Sequence, residues 1–265
     1  MTDLAEVQRD LIDEQEALDV IVAGLTLDQW ALSTPSPGWD ITAQVGHLTY
    51  FDGAAAMAVT DPDAFSAGVE ALYASATASE DGGDDFTLGT LRALNPQGRL
   101  AAWRANRQLL ADASATLTES TRIAWYGPSM GAKSFLTARL MEVWAHGNDI
   151  IEALGGTRAP TDRLRHIAQL GYITRGWSYT VRGETVPEGT IRVALAGPSG
   201  TMFTWGPHDA TETVSGAIED FCLVVTQRRH FDDTTLQAGT LGRHWLVRAQ
   251  AFAGGPSDVP APRGA

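Results

Sequence analysis

Apolar residues recur at helical spacing from the start of the chain. Leu4, Val7, Leu11, Leu18, Ile21 and Leu25 share one side of a helical projection of residues 3–25, with acids on the other, and predict a first helix. Residues 33–40 (STPSPGWD) break the pattern with turn formers, and Asp40 is placed to cap a second helix from 41 to about 59, which carries His47. A helix is expected over 62–78, followed by an acidic, glycine-containing run at 79–85 (SEDGGDD) that reads as a solvated loop. Helical spacing returns over 99–117 through Leu100, Trp103, Leu109, Leu110 and Leu117, the third helix of a bundle. Residues 126–133 (YGPSMGAK) read as a loop, with Ser134 as the cap of a helix that carries Glu142 and His146 and ends at 154, before Gly155 and Gly156.

The pattern then changes. A helix over 161–181 leads out of the bundle, and the short β-prone runs 190–195 (TIRVAL) and 201–205 (TMFTW) flank a hairpin turn at 196–200. Residues 211–214 read as a third strand, and 217–228 and 244–252 as helices. The expected organisation is a helical bundle over 1–158, a connecting helix over 159–183, a small α+β domain over 184–255 and a flexible tail over 256–265.

The length of 265 residues exceeds the usual domain size of roughly 100 to 200, in keeping with two domains. No stretch approaches the roughly 20 apolar residues that span a bilayer, and the polar, acidic residues 1–16 do not resemble a signal peptide, so a cytoplasmic location is expected. A net charge of −13 argues against nucleic acid and anionic membranes as partners and leaves a small-molecule substrate, with the protein a monomer or homodimer. Lys133 is the only lysine among 19 basic residues, while Ala, Gly and Arg abound, a bias of GC-rich genomes such as those of actinobacteria.

Cys222 is the single cysteine, so neither an internal disulfide nor a cysteine-rich metal framework can form. Any metal must use His and carboxylates. Glu142 and His146 lie four residues apart and project from one helix face, a spacing shared by ordinary surface pairs. Their helix is strongly apolar through Leu140, Val143, Trp144, Ile150 and Ile151, and a buried carboxylate requires a partner. His47, between Val45, Gly46 and Leu48, reads either as a core histidine or as a third ligand. Two imidazoles and a carboxylate leave coordination positions open, as catalytic sites do; zinc is the default ion, with nickel, iron or cobalt also suited. Asp149 is positioned to accept an imidazole N–H from His146 or to sit exposed.

Pro-Gly-Trp-Asp at 37–40, Val-Gly-His-Leu at 45–48 and Met-Glu-Val-Trp-Ala-His-Gly-Asn-Asp at 141–149 resemble the DinB-like superfamily, specifically its mycothiol-dependent maleylpyruvate isomerase branch. The resemblance covers the first 155 residues and implies an up-down-down-up four-helix bundle with one divalent metal held by His47, Glu142 and His146. Its C-terminal part is similar to the appended α+β domain of that branch, where an arginine after an apolar helix contributes to the active site. The matching position is Arg228, with Arg229 as the alternative, although a cation at a helix C-terminus also stabilises the helix without any catalytic role. Residues 61–96 and 125–130 depart from the isomerases and resemble a subgroup known only for binding metal, which leaves the substrate open.

What the resemblance implies is a metal-dependent isomerase or thiol transferase in which mycothiol attacks an electrophile while Arg228 holds a carboxylate or enolate. The alternatives are a hydrolase using metal-activated water and a non-catalytic protein binding a metal or small ligand. Cys222, among Phe221, Leu223 and Val224, reads as an inert buried thiol. His166, His208, His230 and His244 share no spacing and read as structural or surface residues, with His208 the one most open to a role at the metal.

Overall fold

The computed structural model describes residues 3–127 and 129–263, and the chain divides into two units, Met1–Thr157 and Arg158–Ala265. Helix α1 (Leu4–Val22) starts at Asp3, whose carboxylate accepts the Glu6 N–H at 2.6 Å and so satisfies one of the unpaired donors of the first turn. Leu4, Val7, Leu11 and Leu18 are buried as the spacing predicts, whereas Ile21 and Leu25 are only half-buried and Val22 takes the core position at the helix end. The acids do not all face solvent, however. Glu14 and Asp19 are buried too, and Asp19 is paired with Arg104 at 2.5 Å and with Arg107 at 3.1 Å.

After the one-turn α2 (Leu27–Trp30), helix α3 (Ile41–Thr60) begins at Asp40, which accepts the Ala43 N–H at 2.8 Å. Helix α4 (Pro62–Ala78) opens on a proline, whose missing N–H has no partner to lose in a first turn. The acidic run expected to be a loop instead enters helix α5 (Gly82–Arg92). Asp84 and Asp85 stand in its first turn, where the helix dipole favours negative charge, and Trp39 Nε1 donates to Asp84 at 3.0 Å. Glycine is required at 82, because a Cβ there would lie 1.9 Å from the Ser75 carbonyl oxygen.

Helix α6 (Pro96–Ser114) is capped by Asn95, five residues before Leu100, the first apolar position that marks it in the sequence. Two short strands pair antiparallel, β1 (Arg122–Ile123) just before the expected 126–133 loop and β2 (Met130–Gly131) within it; Pro128 of that loop lies outside the described residues. This ladder leads straight into α7 (Ala132–Ala153), so the helix starts at Gly131 rather than at a Ser134 cap. In the core, α3 packs chiefly on α6 and α7, and α1 on α7 and α6, closing a four-helix ring, with α4 and α5 against α3. Among the described residues no helix is long and apolar enough to cross a membrane.

In the second unit the expected single helix over 161–181 is two, α8 (Leu164–Ile173) and α9 (Arg175–Thr180). They are interrupted at Thr174, whose hydroxyl bonds back to the Leu170 carbonyl at 2.8 Å and offers the backbone a local alternative. Strands β3 (Ile191–Ala196), β4 (Met202–Trp205) and β5 (Glu212–Ala217) form a sheet in the order β4-β3-β5. The β3-β4 hairpin is antiparallel, as expected, and β5 runs parallel to β3. Helix α10 (Ile218–Val225) follows and packs on α8.

Helix α11 (Thr240–Leu246) ends well before residue 252, the limit that periodicity suggests. Val247, Arg248 and Ala249 close the turn locally, and tertiary partners then claim the backbone donors: Gln250 N–H bonds to Ser178 Oγ at 3.0 Å, and Ala251 N–H to the Val225 carbonyl at 2.9 Å. At the end of the chain, Ser257 donates to Gln227 at 2.7 Å, and Arg263 N–H bonds to Asp233; the last two residues lie outside those described.

Candidate metal centre

Helix α7 carries Glu142 and His146 one turn apart, and α3 carries His47 on the face packed against it. The result is convergence on a single carboxylate oxygen. His47 Nε2 lies 3.3 Å and His146 Nε2 3.0 Å from Glu142 Oε2. All three ligand atoms fall within 4.8 Å of one another, and among the described residues no other group of three or more His, Cys, Asp or Glu is so arranged. Nitrogen and oxygen ligands at about 2.0–2.2 Å around one tetrahedral ion sit about 3.3–3.5 Å apart, so the donor set fits a divalent metal with little adjustment. Side-chain exposures of 19%, 24% and 10% for His47, Glu142 and His146 leave the centre reachable by a small molecule.

Burial and the nearby His146 push the His47 pKa down to about 4, against the opposing pull of Glu142. Burial would raise the Glu142 carboxyl, but the two imidazoles beside it, His146 first and then His47, outweigh burial and hold the group well below the usual carboxylate range. At neutral pH the centre therefore offers a neutral His47 imidazole and an ionised carboxylate, the protonation states a metal requires of its ligands.

Aromatic rings wall the two imidazoles. Trp39 packs 5.2 Å from His47 and 5.9 Å from His146, and Phe51 lies 4.5 Å from His47. Beyond Phe51 stand Trp125 and Tyr126, brought in by the β1-β2 segment, with Tyr126 at 5.3 Å.

Asp149 is buried, not exposed, yet its carboxylate lies 3.9 Å from His146 Nδ1, too far for the expected hydrogen bond. Gln44 takes that position, its Oε1 lying 2.5 Å from Nδ1. Gln44 is a site residue missed at the level of sequence, where its only signal is a polar side chain three residues before His47 on an apolar helix. Also missed is the buried pair Asp52–Arg139 at 2.9 Å, three residues before Glu142 on α7. A lone arginine among Phe135, Leu136 and Leu140 was its sequence mark.

Arg228 lies in the second unit, two residues past the C-cap of α10. Gln227 adopts a left-handed conformation (φ 59°), and the Gln227 and Arg228 N–H groups bond to the Val224 and Leu223 carbonyls at 3.0 and 2.8 Å, a Schellman turn. This turn fixes the Arg228 backbone, and its guanidinium donates to the Thr226 carbonyl at 2.8 Å. Arg229 follows it, half-buried.

The remaining histidines have local settings. His166 is buried in α8, His208 sits exposed in a turn, His230 Nδ1 accepts the Asp232 N–H at 3.1 Å, and His244 Nδ1 meets the Tyr179 hydroxyl at 3.0 Å. Burial raises the Cys222 thiol well above its ordinary pKa, which suits an inert core residue.

The family model for the mycothiol maleylpyruvate isomerase N-terminal domain matches residues 11–151, the span that holds all three converging residues. The uncharacterized proteins MT0041 and Rv0036c of Mycobacterium tuberculosis are each 44% identical over 257 residues, covering 97% of this chain and 98% of theirs. The crystal structures of the mycothiol-dependent maleylpyruvate isomerase and of a histidine-to-alanine mutant of it superpose with a TM-score of 0.58 at 16% identity. Each match covers 97% of this chain and 100% of the other, a likeness of fold.

Proposed function

The chain belongs to the mycothiol maleylpyruvate isomerase N-terminal domain family, and on that premise we propose that it is a metal-dependent enzyme that activates a low-molecular-weight thiol, mycothiol, for attack on a small electrophile. The observation that supports this most directly is the convergence of His47, Glu142 and His146 on one point at a solvent-reachable end of their side chains. Zinc is the ion we assign, with nickel, iron and cobalt compatible with the same donors. When bound, a divalent cation lowers the pKa of a thiol so that the nucleophilic thiolate persists near neutral pH.

The residues of the chain supply the rest. With a divalent ion held there, Glu142 would bring one negative charge and the neutral imidazoles none, so the site would keep a net positive charge toward an incoming thiol. Trp39, Phe51 and Tyr126 limit water around it with apolar ring surface. Arg228 is the group we assign to a substrate carboxylate or a developing enolate, through paired N–H donors. Cis-trans isomerisation of a maleylpyruvate-like substrate and transfer of the thiol to an electrophile share this first attack, and both fall within the proposal.

The test uses the purified protein. Elemental analysis after chelator-free purification should find close to one divalent metal per chain, and turnover of maleylpyruvate or another electrophile should require added mycothiol. Arg228→Ala should raise KM for a carboxylate substrate at least tenfold while metal content stays at wild-type level. Metal-free protein, or thiol-independent hydrolysis, would sink this reading.

A further inference from the structure

We infer that Gln44 is a positioning residue for the metal centre: its side-chain oxygen holds the proton of His146 on Nδ1, so that the Nε2 lone pair faces Glu142 and His47. The inference rests on the metal reading above but on a different set of contacts. A glutamine amide has two ends of opposite character, and its direction follows from its neighbours.

Two neighbours set that direction independently. Gln44 Nε2 lies 2.8 Å from Thr34 Oγ1, and the Thr34 hydroxyl is itself committed as a donor to the Trp39 carbonyl at 2.9 Å, so toward Gln44 it can only accept. Gln44 Nε2 also faces Asp149 Oδ2 at 3.4 Å, and a carboxylate has only lone pairs to offer. Both contacts call for the NH₂ end, which leaves Oε1 toward His146 Nδ1. An oxygen there must accept, so Nδ1 carries the proton. In a neutral imidazole the other nitrogen, Nε2, then has the lone pair, and it is Nε2 that meets Glu142 Oε2 at 3.0 Å. Lone pair and carboxylate repel unless a cation lies between them.

The arrangement is built rather than incidental. Gln44 has no exposed surface, Asp149 is 3% exposed, and Ser36 adds a further hydroxyl to Asp149 Oδ2 at 3.1 Å. Thr34, Ser36 and Trp39 all belong to the segment before α3, which also packs Trp39 on both imidazoles. One loop thus braces the ligand ring by stacking and by its hydrogen-bond relay. Outer partners of this kind change metal affinity by about 10- to 100-fold when removed.

Zinc affinity, measured by competition with a chromophoric chelator, tests the assignment in Gln44→Ala and Gln44→Glu. The alanine variant should bind zinc about 10- to 100-fold more weakly, whereas the glutamate, which keeps an acceptor oxygen, should stay at or near wild-type affinity. Nitrogen-15 spectra of zinc-loaded wild-type protein should show His146 protonated on Nδ1 and ligated through Nε2. That readout stands even if the alanine variant fails to fold. Equal zinc affinity in Gln44→Ala, loss of affinity in Gln44→Glu to the alanine level, or ligation through Nδ1 would each overturn the inference alone. A wild-type protein that binds no zinc would instead overturn the metal reading, and this inference with it.

Discussion

Two buried polar clusters lie in the same four-helix ring and differ in one respect. Asp52 is fully enclosed and its donors are complete: Arg139 supplies Nε and Nη2 to one oxygen, at 3.2 and 2.9 Å, while Gln15 and Trp103 reach the other at 3.0 and 3.2 Å. Glu142, only three residues along α7 from Arg139, has two imidazole nitrogens as its nearest partners and remains partly exposed. The first cluster satisfies itself and closes the core. The second gathers acceptors, and a set of converging acceptors is a place for a cation. A charged residue in a helix core is thus read by counting donors against acceptors, not by burial alone.

The comparison breaks most sharply through stability. Asp52→Ala or Arg139→Met should destabilise the protein by about 3–5 kcal/mol, because each leaves an uncompensated buried charge. The double replacement Asp52→Leu with Arg139→Met should recover much of that loss, and urea unfolding in the presence of chelator measures both. A double variant no more stable than either single one would show that the pair does more than cancel its own charge.

Next in size is the effect of the metal itself. Zinc at about 1,000 times its Kd should raise wild-type stability by about 4 kcal/mol, while His47→Ala and His146→Ala should lose most of this gain. In chelator the same two variants should unfold within about 1 kcal/mol of wild type, since their rings sit at the edge of the core rather than within it. Equal zinc stabilisation of wild type and His47→Ala would remove His47 from the centre.

The smallest expected effect concerns a third cluster, Asp19 with Arg104 and Arg107. The hydrogen bond from Arg104 leads in lowering the Asp19 pKa, against burial, with the charges of Arg107 and Arg104 adding to it. Because the folded value lies below the unfolded one, the contribution is present above the ordinary carboxylate pKa and is lost as pH falls through the folded value. Acid unfolding of Arg104→Met should accordingly be less steep below pH about 4 than that of wild type. An unchanged acid limb would show that the exposed Arg104 contributes nothing measurable.

Much of this architecture was legible in local spacing. Periodicity marked α1 and α6, the Asp40 cap marked α3, the Gly155-Gly156 break marked the end of α7, turn residues marked the β3-β4 hairpin, and the i, i+4 pair Glu142–His146 needed only helical geometry to point both side chains one way. The failures have local causes of a different kind. The acidic run at 79–85 is solvated for the most part, as its charges suggest, but it is not a loop throughout, because the helix dipole that accommodates two of those charges is invisible in the local sequence. The end of α11 depended on Ser178 and Val225, far away in sequence.

By itself, then, the order of residues determined which segments become helix or strand and which side chains share a face, because those properties depend on neighbours three or four positions away. Only the tertiary structure decided that His47 meets Glu142 across 95 residues, that Gln44 rather than Asp149 holds His146 across 102, and that Arg139 is spoken for by Asp52 across 87. Those pairings follow from how α3 and α7 pack, and packing is a sum over many weak contacts that no single stretch of sequence contains.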